Sequence, residues 1–245
     1  LQLGGRAFAV ATAGSWAYVV VQQGDLGDSA RLAVVSVADP RHPVEMGSFS
    51  PSTATSLADV DLLGNYAYLA AERSGLLIVD VTNPANPVQV GRFATTGKVT
   101  GVDADGSLAY LVAEPQWSST LGDFVGGGLI IVDVANKTQP VELGFLPIED
   151  VYDGEMPVYQ VARQVAVKAP YAYVAAEGGG LWIIRVDSPA APERVKQLRT
   201  DSMFLTDLSL LDGYAYLVDA DRGLRVVDVR TPQSPVALGV YSVVS

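Results

Sequence analysis

The chain of 245 residues contains no cysteine and only one histidine. The first absence excludes disulfide staples, thiolate metal sites and cysteine nucleophiles, although it does not name a compartment. The second leaves zinc chemistry without ligands. His42 sits in a short turn away from any elaborated loop, so a Ser–His–Asp relay is excluded too. Positive charge is scarce: 16 Lys and Arg stand against 27 Asp and Glu, a formal net charge of −11. Binding phosphates needs clustered cations, so neither nucleic acid nor an anionic membrane surface is an expected partner. No stretch reaches the roughly 18 uninterrupted apolar residues that span a bilayer, and no membrane insertion is expected. A glycine-rich phosphate loop leading into a helix is also missing. The chain starts at Leu1 rather than Met, which fits a processed or excised chain, and no signal peptide is visible.

Hydrophobic residues are plentiful, at 49%, and they are arranged in a repeat. Residues 31–44 (RLAVVSVADPRHPV), 75–88 (GLLIVDVTNPANPV), 128–141 (GLIIVDVANKTQPV), 180–193 (GLWIIRVDSPAAPE) and 223–236 (GLRVVDVRTPQSPV) align without a gap. Each follows a second repeated segment: AYVVVQ at Ala17, AYLAAE at Ala67, AYLVAE at Ala109, AYVAAE at Ala172 and AYLVDA at Ala215. A third segment precedes that one and is centred on Val10, Val60, Val102, Val165 or Leu208. With the stretch after the second proline, four strands A, B, C and D are predicted per unit of about 42 residues.

Strands B and C are almost continuously apolar, as required when both faces of a sheet are covered. Gly, Asn and Asp at residues 62–65, 104–107 and 210–213 suit the A–B hairpins. The paired prolines suit a C–D turn and an outer edge strand. The predicted fold is therefore all-β: a β-propeller of five four-stranded blades, forming one domain over residues 1–245. The units fall at approximately 6–49, 57–93, 99–145, 161–198 and 205–242. No strand is left over to close a ring by pairing across the termini.

The GLLIVDVTNPANPV pattern after an Ala-Tyr strand resembles the LVIVD-repeat family, β-propeller proteins of bacterial and archaeal cell surfaces. Three units depart from it: Ser36 and Arg185 replace the strand-C Asp, and Asn136-Lys137 replaces the first Asn-Pro. The family is defined by its repeat, so the resemblance implies a surface-associated propeller and transfers no catalytic residue.

The irregularities in the repeat point to function. Insertions at residues 24–30 and 115–127 lie between strands B and C, and one at 147–159 lies between D and A. Alternating strand direction puts all three on one face. Long loops on a rigid scaffold commonly carry binding, which makes Trp117, Phe124, Tyr152 and Tyr159 the candidate contact residues. Packing of these rings within their own loops is the alternative.

The same face is acidic. Glu72, Glu114 and Glu177 end strand B in three units, and Asp219 and Asp221 stand in the fifth. Asp59, Asp61, Asp103 and Asp207 flank the central residue of strand A, where they would line a channel or pair with Arg163. Clustered carboxylates are what a hard cation such as calcium takes; a hydrated rim and trapped water are the alternatives. Asp80, Asp133 and Asp228 recur just before the C–D turn, a position that predicts a turn-capping job. Arg185 is expected to answer an acid across a blade boundary.

The leading expectation is a non-catalytic extracellular or cell-surface scaffold that binds protein or glycan through its loop-rich acidic face, with no required cofactor. The rival is a self-assembling building block of a surface layer, sheath or filament, joined by strand addition at exposed ends. A glycosidase using two of the acids is a third reading, resting on fold analogy.

Overall fold

The computed structural model describes residues 1–23, 29–52, 56–148, 151–152, 157–158, 160–200 and 204–242. Five four-stranded antiparallel sheets account for almost all of it. In the first, Arg6–Ala13 (β1), Trp16–Gln23 (β2), Ser29–Ser36 (β3) and Val44–Phe49 (β4) lie side by side in chain order. The second repeats the pattern with Asp59–Leu63 (β5), Tyr66–Ala70 (β6), Leu76–Asp80 (β7) and Val88–Phe93 (β8).

The third sheet uses Lys98–Asp105 (β9) and Leu108–Glu114 (β10). A two-stranded excursion follows, Gln116–Ser118 (β11) with Asp123–Val125 (β12), before Gly128–Asp133 (β13) and Val141–Pro147 (β14) complete the sheet. A second small hairpin pairs Val151–Tyr152 (β15) with Pro157–Val158 (β16). Val161–Lys168 (β17), Tyr171–Glu177 (β18), Gly180–Arg185 (β19) and Glu193–Leu198 (β20) make the fourth sheet. Leu205–Leu211 (β21), Tyr214–Asp219 (β22), Gly223–Asp228 (β23) and Val236–Tyr241 (β24) make the fifth. The predicted A, B, C and D strands appear in every unit, and each sheet is built from consecutive strands of one repeat.

Contacts divide the chain into two compact units: residues 1–111 with 132–141, and residues 112–131 with 142–245. Each has its own core. In the first, Tyr18, Val20, Leu32 and Val34 of blade one pack on Val60, Leu69, Leu77 and Val79 of blade two. In the second, Tyr173, Ala175 and Ile183 of blade four pack on Leu208, Leu217 and Val227 of blade five. Both cores follow one rule: the Tyr-bearing face of a blade meets the face of the next blade that carries the centre of strand A. Because the period of a strand is two, B and C supply alternate residues to both contacts, which is why they read as unbroken apolar runs.

Two recurrent glycines follow from backbone crowding. Gly75, which opens β7, adopts φ +83, and an added Cβ would sit 2.1 Å from the Phe93 carbonyl oxygen. Gly91 of β8 lies against the C–D turn of the next repeat, where a Cβ would meet the Lys137 carbonyl oxygen at 1.8 Å. Strand D is also bulged at one repeated point: the register shifts between Val34 and Val35, Ile78 and Val79, Ile183 and Ile184, and Val226 and Val227. The bulge raises the local twist of the outer strand.

Candidate functional site

The insertion at 115–127 folds into a protruding ribbon. Trp117 on β11 stands directly opposite Phe124 on β12. Their rings meet edge to face, with centroids 5.3 Å apart and planes at 69°. The turn is held by Gly122 N–H donating to the Ser118 carbonyl at 2.8 Å and by Leu121 N–H reaching Ser118 Oγ at 3.3 Å. At its base, Gly127 fits against the Pro115 ring so closely that a Cβ would lie 2.7 Å from Pro115 Cδ. Trp117, Phe124 and Leu121 are nonetheless 59%, 60% and 71% exposed. The rings pack on one another, as the alternative reading expected, but remain open to solvent. Tyr152 pairs through its backbone with Pro157 in the β15–β16 ribbon, while its side chain, Tyr159 and residues 24–28 lie outside the described residues.

The acidic candidates are brought to partners one repeat away. Gln22, at the end of β2, donates to Ser56 Oγ at 2.8 Å. Glu72 occupies the same position in the second blade and faces Lys98 at 3.4 Å. Glu114, its counterpart in the third, is ion-paired with Arg163. Arg163 Nε also donates to Glu177 at 2.6 Å, so one guanidinium joins the third blade's Glu to the fourth blade's own. In the fourth sheet the register slips between Ala162 and Gln164, leaving Arg163 as the extra residue. Such a bulge re-aims a side chain, here toward the two carboxylates.

Two acids of strand A form a second set of ties. Asp59 accepts the Val102 N–H at 3.0 Å, and Asp61 accepts the Ala104 N–H at 2.8 Å. Burial pushes the Asp61 carboxyl above its ordinary range, and the N–H bonds from Ala104 and Leu62 oppose this. It lies near Tyr68, whose phenol is raised to about 12 by burial, then by Tyr66 and Asp61. Asp207 accepts the N–H of the adjacent Leu208 at 2.7 Å, and the Tyr110 phenol is raised by burial first, then by Asp105 and Asp103.

Asp219 is buried and accepts from Arg225 Nε at 2.5 Å, with Asp221 and Arg222 N–H groups on its other oxygen. Among the described residues, no group of three or more His, Cys, Asp or Glu side chains gathers in a metal-binding arrangement. The spacing explains how the ties arose. Asp59 to Val102 and Asp61 to Ala104 are both 43 residues apart, one repeat, and Glu114 to Arg163 is 49.

The strand-C aspartates cap turns. Asp80, Asp133 and Asp228 accept the N–H of Thr82, Ala135 and Arg230 at 2.8, 2.8 and 3.0 Å. The Arg230 side chain and backbone bonds hold Asp228 down to about 2. Arg185 differs from expectation. It pairs with Glu193 on the neighbouring strand of its own blade rather than across a boundary. His42 is exposed and contacts Asp39 at 2.8 Å.

Sequence reasoning missed one feature, a cleft of about 550 Å³ between the A–B turns of blades four and five and the C–D turn of blade five. Lys168, Tyr171, Asp212, Tyr214, Arg230 and Pro232 contribute to it. The Arg230 guanidinium lies 5.2 Å over the Tyr214 ring. Nothing in the linear pattern announces it, because its walls come from turns that look ordinary in each repeat.

The LVIVD repeat matches residues 4–50, 56–95, 123–146, 161–200 and 206–243. The chain belongs to the LVIVD repeat family. Among solved structures, this LVIVD-repeat chain is similar to a candidate 6-phosphogluconolactonase from Bacteroides uniformis, with a TM-score of 0.70 and 13% identity. The match covers 96% of this chain and 71% of that one. It is also similar to the β-propeller domain of Cps50 (Swd1) from Myceliophteria thermophila (TM-score 0.68, 11% identity, 97% and 72% covered). A second candidate 6-phosphogluconolactonase, from Bacteroides fragilis, matches at TM-score 0.68 and 14% identity, covering 96% and 69%. Identities this low speak for the fold alone, a β-propeller of five four-stranded blades in this chain. No curated protein matches it in sequence.

Proposed function

We propose that this LVIVD-repeat propeller is a non-catalytic interaction scaffold outside the cell, holding a protein or glycan partner through its aromatic ribbon. The observation that carries the reading is the Trp117–Phe124 pair: two large rings, fixed by a short hairpin, with most of their surface in water. Rigid aromatic anchors of this kind lose little side-chain entropy on contact and dominate binding energies. The resemblance to surface-associated repeat proteins supports the location.

The non-catalytic part rests on how the carboxylates are used. Glu114 and Glu177 share Arg163, Asp59 and Asp61 accept backbone N–H groups, and Asp219 is committed to Arg225. A nucleophile needs an accessible oxygen and a general acid a raised pKa facing a substrate; Asp61, whose carboxyl is raised by burial, is tied to the Ala104 N–H instead. The lactonase names belong to propellers of 13% and 14% identity.

The test uses immobilised cellulose, chitin, peptidoglycan and bacterial surface-protein extracts. The chain is expected to be captured by at least one of them. The variant Trp117→Ala/Phe124→Ala should lose about tenfold or more in capture, as for a hot-spot pair, with an unchanged melting temperature. Equal capture by the variant would sink the ribbon's role, and sugar released from any polysaccharide would sink the non-catalytic reading.

A further inference from the structure

At the ends of their strands away from the inserted loops, blades four and five frame the cleft of about 550 Å³, which lies within the second compact unit. Small-ligand sites commonly measure roughly 300–1,000 Å³. Tyr171, Tyr173, Tyr214, Pro170 and Pro232 give this one ring-bearing walls. In the second blade the ring equivalent to Tyr171 is that of Tyr66, and the Lys137 ammonium from the next blade's C–D turn covers it at 5.3 Å. Pro232 stands at the Lys137 position of its own repeat, and its shorter side chain leaves the space beside Tyr171 open.

Both cations of the lining depart from the repeat. Three residues after the centre of strand A, Lys168 stands where the other units have Ala13, Leu63, Asp105 and Leu211. Two residues after the strand-C Asp position, Arg230 stands where they have Ala38, Thr82, Ala135 and Asp187. Gly213 makes room for it, since a Cβ there would lie 2.4 Å from Arg230 Cγ. Asp228 takes Nε and Nη2 of the guanidinium, which leaves Nη1. Among the described residues nothing pairs with the Lys168 ammonium, and nothing hydrogen-bonds the Tyr173 hydroxyl. Yet Tyr173 is only 4% exposed, and burial, then Tyr171, raises its phenol. A polar side chain so buried ordinarily has a partner. The Tyr171 hydroxyl has one, accepting from Gln233 at 3.2 Å.

The cleft therefore offers donors and few acceptors. Asp212 is the one acid among its described lining residues, against two cations. A sugar asks for acceptors as well as donors, and a dianion would meet Asp212 with twice the repulsion of a single charge. Aromatic walls suit a ring. We infer that the cleft is a binding site for a small aromatic carboxylate, its ring against Tyr171 and Tyr214 and its carboxylate toward Lys168, Arg230 Nη1 and the Tyr173 hydroxyl. This site is separate from the aromatic ribbon and does not rest on it.

The test titrates the 245-residue chain with phenylacetate, phenylacetamide and benzylamine, read by amide chemical shifts. Phenylacetate should move the amides of residues 168–173 and 212–214 saturably, with a dissociation constant of about 1 mM, as a ligand of about ten non-hydrogen atoms allows. The neutral amide should bind at least about tenfold more weakly, and Lys168→Met should weaken phenylacetate by a similar factor. Tyr173→Phe should weaken it about fivefold with an unchanged melting temperature, because the hydroxyl holds nothing else. Trp117→Ala/Phe124→Ala should bind phenylacetate like the parent, so failure of the ribbon and failure of the cleft are told apart. No saturable shifts at these amides, equal affinity for the amide, or tighter binding of benzylamine would each overturn the inference. Phenylacetate binding untouched by Lys168→Met and Tyr173→Phe would overturn it as well.

Discussion

The second and fifth blades are written in nearly the same letters and live in different surroundings. In the second, Leu76, Leu77 and Ile78 are fully buried, so both faces of strand C contribute to a core. In the fifth, one face of the corresponding strand packs on blade four through Val227 and Val229, while Leu224 on the other is partly open. The packed face differs as well: Asp219 and Arg225 stand where the second blade has Ala71 and Leu77, and form a buried ion pair. A repeat sequence therefore specifies a blade but does not supply its neighbours.

The largest expected effect comes from breaking that pair. Arg225→Ala removes the guanidinium from a buried carboxylate and should destabilise by about 3 kcal/mol, read by urea unfolding. Restoring the second blade's residues together, Asp219→Ala/Arg225→Leu, should return stability to within about 1 kcal/mol of the parent. A double variant as unstable as Arg225→Ala would show that the pair does more than replace an apolar contact.

Leu76→Ala should cost about 3 kcal/mol and Leu224→Ala about 1, because only the first opens a cavity inside a closed core. Equal losses would erase the difference between the blades. Arg163→Met, at the junction of Glu114 and Glu177, should cost about 1 kcal/mol, and less at high salt, since the side chain is 32% exposed.

The smallest effect is a pH dependence at the fifth blade's turn. Asp228 has a folded pKa of about 2 against an ordinary 3.8. Its contribution is therefore present above the unfolded value and disappears as pH falls toward about 2. The melting difference between the parent and Asp228→Asn should shrink over that window, and a constant difference would contradict the Arg230 contact as its cause.

Much of this was legible in the chain. The centre of strand A at Val60 and the unbroken runs at Leu69 and Leu77 announced four strands per unit, and the recurring Asp80 before the C–D turn announced a capping job that the Thr82 N–H takes up. The exposed ribbon was legible as an insertion containing Trp117 and Phe124, although only its pairing register set the two rings opposite each other. The acids were legible as a set but not in their partners. Glu114 meets Arg163 only after an intervening insertion, a strand reversal and a bulge.

The sequence by itself determined the blade, because strand period, turn chemistry and edge prolines act over a few residues. Tertiary structure decided which carboxylates became ties and which apolar faces were covered. Those outcomes depend on groups a full repeat or more apart, whose meeting is set by packing rather than by local preference.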